Sequence, residues 1–191
     1  QFANRPANVD DAIVINRLKQ AGAIIWGKTN VPIYCGDVQT YNKVYGTTNN
    51  PYDLTRTPGG SSGGSAAALA AGLTPLEVGS DIGGSIRTPA SFCGVYGLKP
   101  TYGLVPAKGH VPPSPNLKDA QEPDLGVVGP MARNIEDLEL LMSIIAPDSE
   151  KESIPTVCSE LNIGVWKEPS FTLSNEVAEA VNPVANTAKA A

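Results

Sequence analysis

Two glycine–serine clusters carry most of the chemistry that this sequence offers. The first is Pro58-Gly59-Gly60-Ser61-Ser62-Gly63-Gly64-Ser65, and the second is Gly79-Ser80-Asp81-Ile82-Gly83-Gly84-Ser85-Ile86-Arg87. Glycines let a backbone approach a ligand closely. Successive N–H groups beside a serine hydroxyl can hold a developing oxyanion, so serine-based acyl transfer is one chemistry that such a cluster serves. An isolated cluster of this composition is more often a linker or an ordinary turn. Phosphate binding can be tested directly, and it fails. A P-loop ends in Gly-Lys-Ser/Thr, and neither cluster has the lysine. Neither matches the dinucleotide pattern G-x-G-x-x-G, and the lysine and catalytic-loop companions of a kinase are absent. Gly60-Ser61-Ser62-Gly63-Gly64 does fit the G-x-S-x-G elbow, with Ser62 as nucleophile. An elbow must follow a strand directly. Here the preceding residues, Asp53 to Gly59, read as loop, so the match reads as accidental.

Other reactive side chains are few. His110 is the one histidine, so imidazole-based zinc is excluded and a histidine-based triad would have to use that residue. Cys35, Cys93 and Cys158 form no CxxC pair, which argues against zinc and against a redox motif. They read as reduced thiols in a cytoplasmic setting. Cys93 is expected to fill core, and Trp26 and Trp166 to pack. Lys28, in Gly27-Lys28-Thr29-Asn30, reads by itself as a solvated lysine at a strand end.

The elements that must position these residues follow from patterning. Asn8 and Asp10 are N-cap candidates for a first helix with Val9, Ile13 and Leu18 on its apolar face and Gly22 just past its end. Ala23-Ile24-Ile25-Trp26 reads as a short buried strand that delivers Lys28. Residues Tyr41 to Gly64, rich in Asn, Thr, Pro and Gly, read as loop. Ser65 to Ala71 reads as a helix stopped by Gly72, and Pro75 to Val78 as a strand leading into the second cluster. Phe92 to Leu98 reads as mixed strand and turn, and Tyr102 to Pro130 as a long proline-rich loop. Asn134 is expected to cap a helix that presents Ile135, Leu138, Leu141, Met142 and Ile145 and ends at Pro147. Asn162 to Trp166 reads as a further strand, and a last helix starts at Ser174. Alternating strands and helices imply an α/β layered fold with a largely parallel sheet.

Composition excludes several classes. The chain has 191 residues, 41% of them hydrophobic, with a formal net charge of −5. An acidic chain without a run of Lys or Arg is a poor partner for nucleic acid or for an anionic membrane surface. No apolar stretch approaches the ~18–20 residues of a membrane span. The opening QFANRPANVDD lacks the basic and apolar regions of a signal peptide.

Taken together, the two clusters and Gly27-Lys28-Thr29-Asn30 resemble the amidase signature family. Pro58 to Ser65 is similar to that family's GGSSGGS block. GSDIGGSIRTP (Gly79 to Pro89), FCGVYGLKPT (Phe92 to Thr101) and Gly129-Pro130-Met131-Ala132-Arg133 continue the resemblance in order. It extends from Asn8 to about Trp166. The resemblance implies a three-layer α/β/α fold with a mixed, largely parallel central sheet. It also implies that residues 1–191 are a partial domain, the triad-bearing half, with an upstream segment and a large downstream half absent. Ser85 is implied as nucleophile, Ser61 as the bridging serine after a cis Gly60–Ser61 bond, and Lys28 as the base. The N–H groups of Ile82, Gly83, Gly84 and Ser85 are implied as oxyanion hole, and Ser62, Asp81 and Arg87 as supporting residues. No cofactor and no metal are implied. The expected partner is a small-molecule amide, without nucleic acid, in the cytoplasm. An uncovered sheet edge would favour self-association.

The chemistry is coherent with those roles. A serine hydroxyl is a weak nucleophile until a base takes its proton. A lysine can be that base when neutral, and Ile24, Ile25 and Trp26 are expected to give Lys28 apolar surroundings. A hydroxyl such as that of Ser61 can relay a proton because it donates and accepts at once. Three functions stay open: an amidase for small aliphatic or aryl amides, the amidotransferase subunit that works on misacylated tRNA, and a non-catalytic module. Composition and the SDIGGSIRTP wording lean toward the first, and the intact Lys28, Ser61 and Ser85 argue against the last. Pro32-Ile33-Tyr34-Cys35 departs from the PEF-type sequence common after the lysine in the family.

Overall fold

A computed structural model describes residues 10–110, 124–147, 170 and 172–190. The expected strand at Asn162 to Trp166, Cys158 and the cap candidate Asn8 lie outside the described residues. The chain divides into two units, Gln1–Ser149 and Glu150–Ala191.

In the first unit the central element is a three-stranded sheet. Its strands are β3 (Leu76–Asp81), β4 (Tyr96–Gly97) and β5 (Val127–Ala132), in the order β3-β5-β4. A small hairpin, β1 (Tyr41–Asn42) with β2 (Gly46–Thr47), stands apart from it. Helices α1 (Ile13–Gln20), α2 (Gly63–Ala70), α3 (Arg87–Cys93) and α4 (Ile135–Ile145) complete the unit. Side chains of successive strand residues point to opposite faces. On β5, Val128 belongs to a core formed with Val14 and Leu18 of α1, Leu141 and Ile145 of α4, and Val105. Met131, on the other face, belongs to a core formed with Ala66 and Leu69 of α2 and with Ile86, Ala90 and Cys93 around α3. The sheet thus sits between two helical layers, as the α/β/α expectation required.

The strand directions differ from expectation. Every ladder between described strands is antiparallel, with Leu76 opposite Ala132, Asp81 opposite Val127, and Tyr96 opposite Ala132. Strand–helix alternation gave a parallel reading because it cannot say which strands become neighbours. Here β5 inserts between β3 and β4 and runs against both. The loop expected from Tyr102 to Pro130 ends early for the same reason, since Val127 to Pro130 already belong to β5. Pro130 disguised that strand, because proline is normally confined to sheet edges. Its nitrogen and carbonyl both face β4, where Leu98 N donates to Pro130 O at 3.1 Å. Proline has no N–H to return, and β4 pairing ends at Gly97.

Ala23 to Trp26 is not a strand. The segment 23–30 has no regular secondary structure, and Ile24 and Trp26 are 88% and 73% exposed. An apolar run predicts a preference for burial but does not supply the surface that buries it. Phe92 to Leu98, read as strand and turn, begins inside α3, which ends at a left-handed Gly94 before β4. The first helix is entered from Ala12, without a side-chain cap, instead of from Asn8 or Asp10.

Other local readings hold. Asn134 caps α4, its side chain accepting from Asp137 N at 2.7 Å. Gly72, at φ +70°, follows α2. Arg133 closes that end further, its guanidinium donating to Leu69 O at 3.2 Å and Thr74 O at 2.5 Å. In the second unit, α5 (Asn175–Ala190) begins after Ser174, whose hydroxyl accepts from Val177 N at 3.4 Å.

Candidate active site

The two glycine–serine clusters meet across the helix–sheet boundary. The first lies on the approach to α2, and Ser62 immediately precedes that helix. The second begins on β3 and leads into α3. Ser62 N donates to Ser85 O at 3.0 Å, which sets the Ser61–Ser62 backbone beside Ser85. Ser62 Oγ accepts from Ser80 N at 3.3 Å and donates to Ser80 O at 3.4 Å. The Ser62 hydroxyl is therefore committed to the edge of β3, a supporting contact. No strand precedes Ser62, since residues 54–60 are turns and irregular backbone, so the elbow geometry is absent. Ser61 is buried, Ser85 is half-buried, and the Gly60–Ser61 peptide bond is cis.

Close approach explains why this loop is glycine-rich. A Cβ at Gly60 would stand 2.5 Å from Asp37 O, and one at Gly64 would stand 2.5 Å from Asn30 N. No side chain fits at either place. The second contact joins the Lys28 segment to the first turn of α2. A second tie lies beside it, where Thr29 Oγ1 is 2.8 Å from Ser65 Oγ. Lys28 itself is exposed, and the three preceding apolar residues do not shield it, contrary to expectation. His110 lies close enough for the Lys28 charge to act on it. Loss of water around the imidazole, and then that charge, hold its pKa below the ordinary histidine value.

Asp81 organises the second cluster. Its carboxylate is fully buried and accepts from Gly84 N at 2.8 Å, Ile86 N at 3.1 Å and Arg87 N at 3.2 Å. Arg87 adds two side-chain bonds, Nε to Oδ2 at 3.1 Å and Nη2 to Oδ1 at 3.0 Å. Burial would raise the Asp81 pKa, but the guanidinium and the three backbone donors outweigh it and bring it to about 2. The chain is thereby wrapped around an anion that stays ionised at any ordinary pH. Of the four N–H groups expected to form an oxyanion hole, Gly84 already donates to Asp81. Those of Ile82, Gly83 and Ser85 have no hydrogen-bond partner among the described residues.

Several residues here were not singled out from the sequence. Thr40 is buried and donates from Oγ1 to Gly59 O at 2.9 Å. Asn50 donates from Nδ2 to Phe92 O at 2.8 Å, tying the loop to α3. Asn30 donates to Thr48 Oγ1 at 3.0 Å and accepts from Asn42 Nδ2 at 2.5 Å. The signal was the Asn- and Thr-rich composition of residues 40–57, because short polar side chains hold turns by bonding to nearby backbone. Among the described residues no group of three or more His, Cys, Asp or Glu side chains could hold a metal ion. No described helix is long and apolar enough to cross a membrane.

A family model described as Amidase matches residues 1–191. The chain belongs to the amidase signature family. The glutamyl-tRNA(Gln) amidotransferase subunit of Sulfurisphaera tokodaii is 51% identical over 143 residues, covering 75% of this chain and 29% of that protein. Among solved structures, a fatty acid amide hydrolase superposes with a TM-score of 0.80 at 31% identity, over 100% of this chain and 35% of that one. A bacterial aryl acylamidase of the amidase signature family superposes with a TM-score of 0.65 at 32% identity, over 80% and 31%. The chain thus spans about a third or less of the length of these relatives.

Proposed function

We propose that this chain carries the acyl-transfer centre of an amidase, which cleaves a carboxamide C–N bond through a serine ester. The observation that carries the reading is the joining of the two clusters by the Ser62 N to Ser85 O bond, with N–H groups at Ile82, Gly83 and Ser85 that have no partner among the described residues. Ser85 Oγ attacks the amide carbonyl while its proton passes through the Ser61 hydroxyl to a neutral Lys28. The developing oxyanion is held by the N–H groups of Ile82, Gly83 and Ser85, while that of Gly84 stays on Asp81 and fixes the loop. Collapse returns the proton to the leaving nitrogen and leaves an acyl-Ser85 ester. Water, deprotonated by the same relay, then releases the carboxylic acid. Asp81, Arg87 and Ser62 hold the loop that presents Ser85. The substrate is a small amide, and the compartment is the cytoplasm.

A second reading has a specific observation in its favour. The relative at 51% identity carries the name of a tRNA amidotransferase component. On this reading the ammonia released from an amide donor such as glutamine is passed on in a larger assembly, to an acyl group on tRNA. The acidic charge balance does not count against it, because partner subunits can supply the nucleic-acid contacts. One assay tests the nucleophile that both readings share, and two others separate them. Labelling of the full-length gene product with a fluorophosphonate, mapped by mass spectrometry, should modify Ser85; modification of Ser62 alone would overturn the assignment. Turnover of aryl and aliphatic amides without glutamine or tRNA marks the simple amidase. Ammonia release from glutamine that is stimulated by tRNA and partner subunits marks the other.

A further inference from the structure

Lys28 makes no hydrogen bond or ion pair with a described residue, and the segment before it is unpaired and exposed. Its position is fixed from the other side, by the two residues that follow it. Thr29 Oγ1 lies 2.8 Å from Ser65 Oγ, and Ser65 is buried in the first turn of α2, just beyond Ser61. Either hydroxyl of the pair can be the donor, since each both donates and accepts. Asn30 is held just as firmly. Its backbone packs on Gly64, its amide donates to Thr48 Oγ1 at 3.0 Å and Gly46 O at 3.2 Å, and its carbonyl accepts from Asn42 at 2.5 Å. Asn42 Oδ1 accepts in turn from Val44 N at 2.9 Å and Tyr45 N at 2.8 Å, so the hairpin that grips Asn30 is itself locked.

We propose that the Thr29–Ser65 hydroxyl pair is a positioning device that holds Lys28 in register with the Ser61–Ser85 relay, with the Asn30–Asn42 pair as its outer clamp. This rests on reading Lys28 as the base. Thr29 and Ser65 touch no reacting atom. They act by anchoring the backbone on which the lysine is carried to the helix that carries the bridging serine. Proton transfer depends steeply on donor–acceptor distance, and a misplacement of about 1 Å costs on the order of 100-fold in rate.

The test uses the full-length gene product and the rate at which a fluorophosphonate phosphonylates Ser85, resolved into a limiting rate and a half-saturating concentration. Thr29→Val keeps the shape and removes the hydroxyl. It should lower the limiting rate by about 10–100-fold and leave the half-saturating concentration unchanged. Thr29→Ser should restore most of the rate. Ser65→Ala approaches the pair from the other side and should reproduce the loss, and the double variant should be no slower than either single one. Melting temperatures of all variants confirm folding, and Ser65→Ala carries the test if Thr29→Val does not fold. A wild-type limiting rate in Thr29→Val or Ser65→Ala, additive losses, or a Thr29→Ser as slow as Thr29→Val would overturn the proposal. Lys28→Met separates the two levels. Full labelling in Lys28→Met, or none in the wild type, removes the base reading itself. Loss of labelling in Lys28→Met beside an unaffected Thr29→Val removes the positioning role alone.

Discussion

Replacing Asp81 with asparagine isolates what a buried anion contributes to this loop. The substitution keeps size and shape and removes the charge. Asp81 is 0% exposed and accepts five hydrogen bonds, three from backbone N–H groups and two from Arg87. Asparagine has one acceptor oxygen, and its amide nitrogen would face donors that it cannot satisfy. Breaking a buried charge pair costs about 3–5 kcal/mol, and the Arg87 side chain, 55% exposed, recovers part of that by hydration. The lower end, about 3 kcal/mol, is expected. The depressed acidity gives a consistent scale. A carboxyl whose pKa falls from 3.8 to about 2 on folding contributes at most about 2 kcal/mol through its charge. That contribution is present above pH ~4, where the unfolded carboxyl would also be ionised, and is lost as the pH falls through 3.8 toward 2. Urea unfolding followed by far-UV circular dichroism reads both effects. Asp81→Asn should unfold at markedly lower urea at pH 7, and the gap to wild type should narrow below pH 3. A loss under about 1 kcal/mol at pH 7, or a gap that does not close in acid, would refute the anchoring argument.

Three further outcomes follow from the geometry. The 191-residue chain alone should turn over amides about 100-fold or more slowly than the full-length gene product at equal molarity, because Lys28 is exposed to water here and the relay needs a closed, dry site; equal turnover would contradict this. In a Cys158→Ser background a thiol reagent at pH 8 should modify exposed Cys35 at least about 100-fold faster than Cys93, whose burial raises its pKa to about 11. Comparable rates would mean that the α2–α3 core opens. Ile86→Ala should destabilise the chain by about 2–5 kcal/mol in the same urea assay, since Ile86 is fully buried between the helices and β5; a loss below about 1 kcal/mol would show that the core is looser than described.

The sequence was legible where a residue's own chemistry decides its conformation. Asn134 caps α4 because its side chain reaches the backbone N–H of Asp137, and that relation is written in four consecutive residues. Gly72 and the alanine run before it announce a helix and its stop in the same local way. The serine, lysine and aspartate positions were legible as motif. Their mutual placement was not, because the Ser62–Ser85 and Thr29–Ser65 bonds join residues distant in the chain. The errors share this origin. Ala23 to Trp26 has the pattern of a buried strand but finds no partner among the described residues, and β5 was hidden by a proline whose missing donor matters only once its neighbours are known.

Pro130 also acts as a terminator that works in one direction. With β3 on one side of it, the strand keeps its full pairing from Leu76 to Asp81, because the ring nitrogen points away from that neighbour. On the other side Leu98 N still donates to Pro130 O, but no N–H returns to Leu98 O, and the ladder ends at Gly97. Released there, the chain leaves the sheet at Leu98 and turns through residues 101–110 onto the start of α1, where Ile13 N donates to Lys108 O at 3.3 Å. His110 reaches the neighbourhood of Lys28 along that route. One absent hydrogen atom in the central strand therefore helps decide that an imidazole stands beside the lysine.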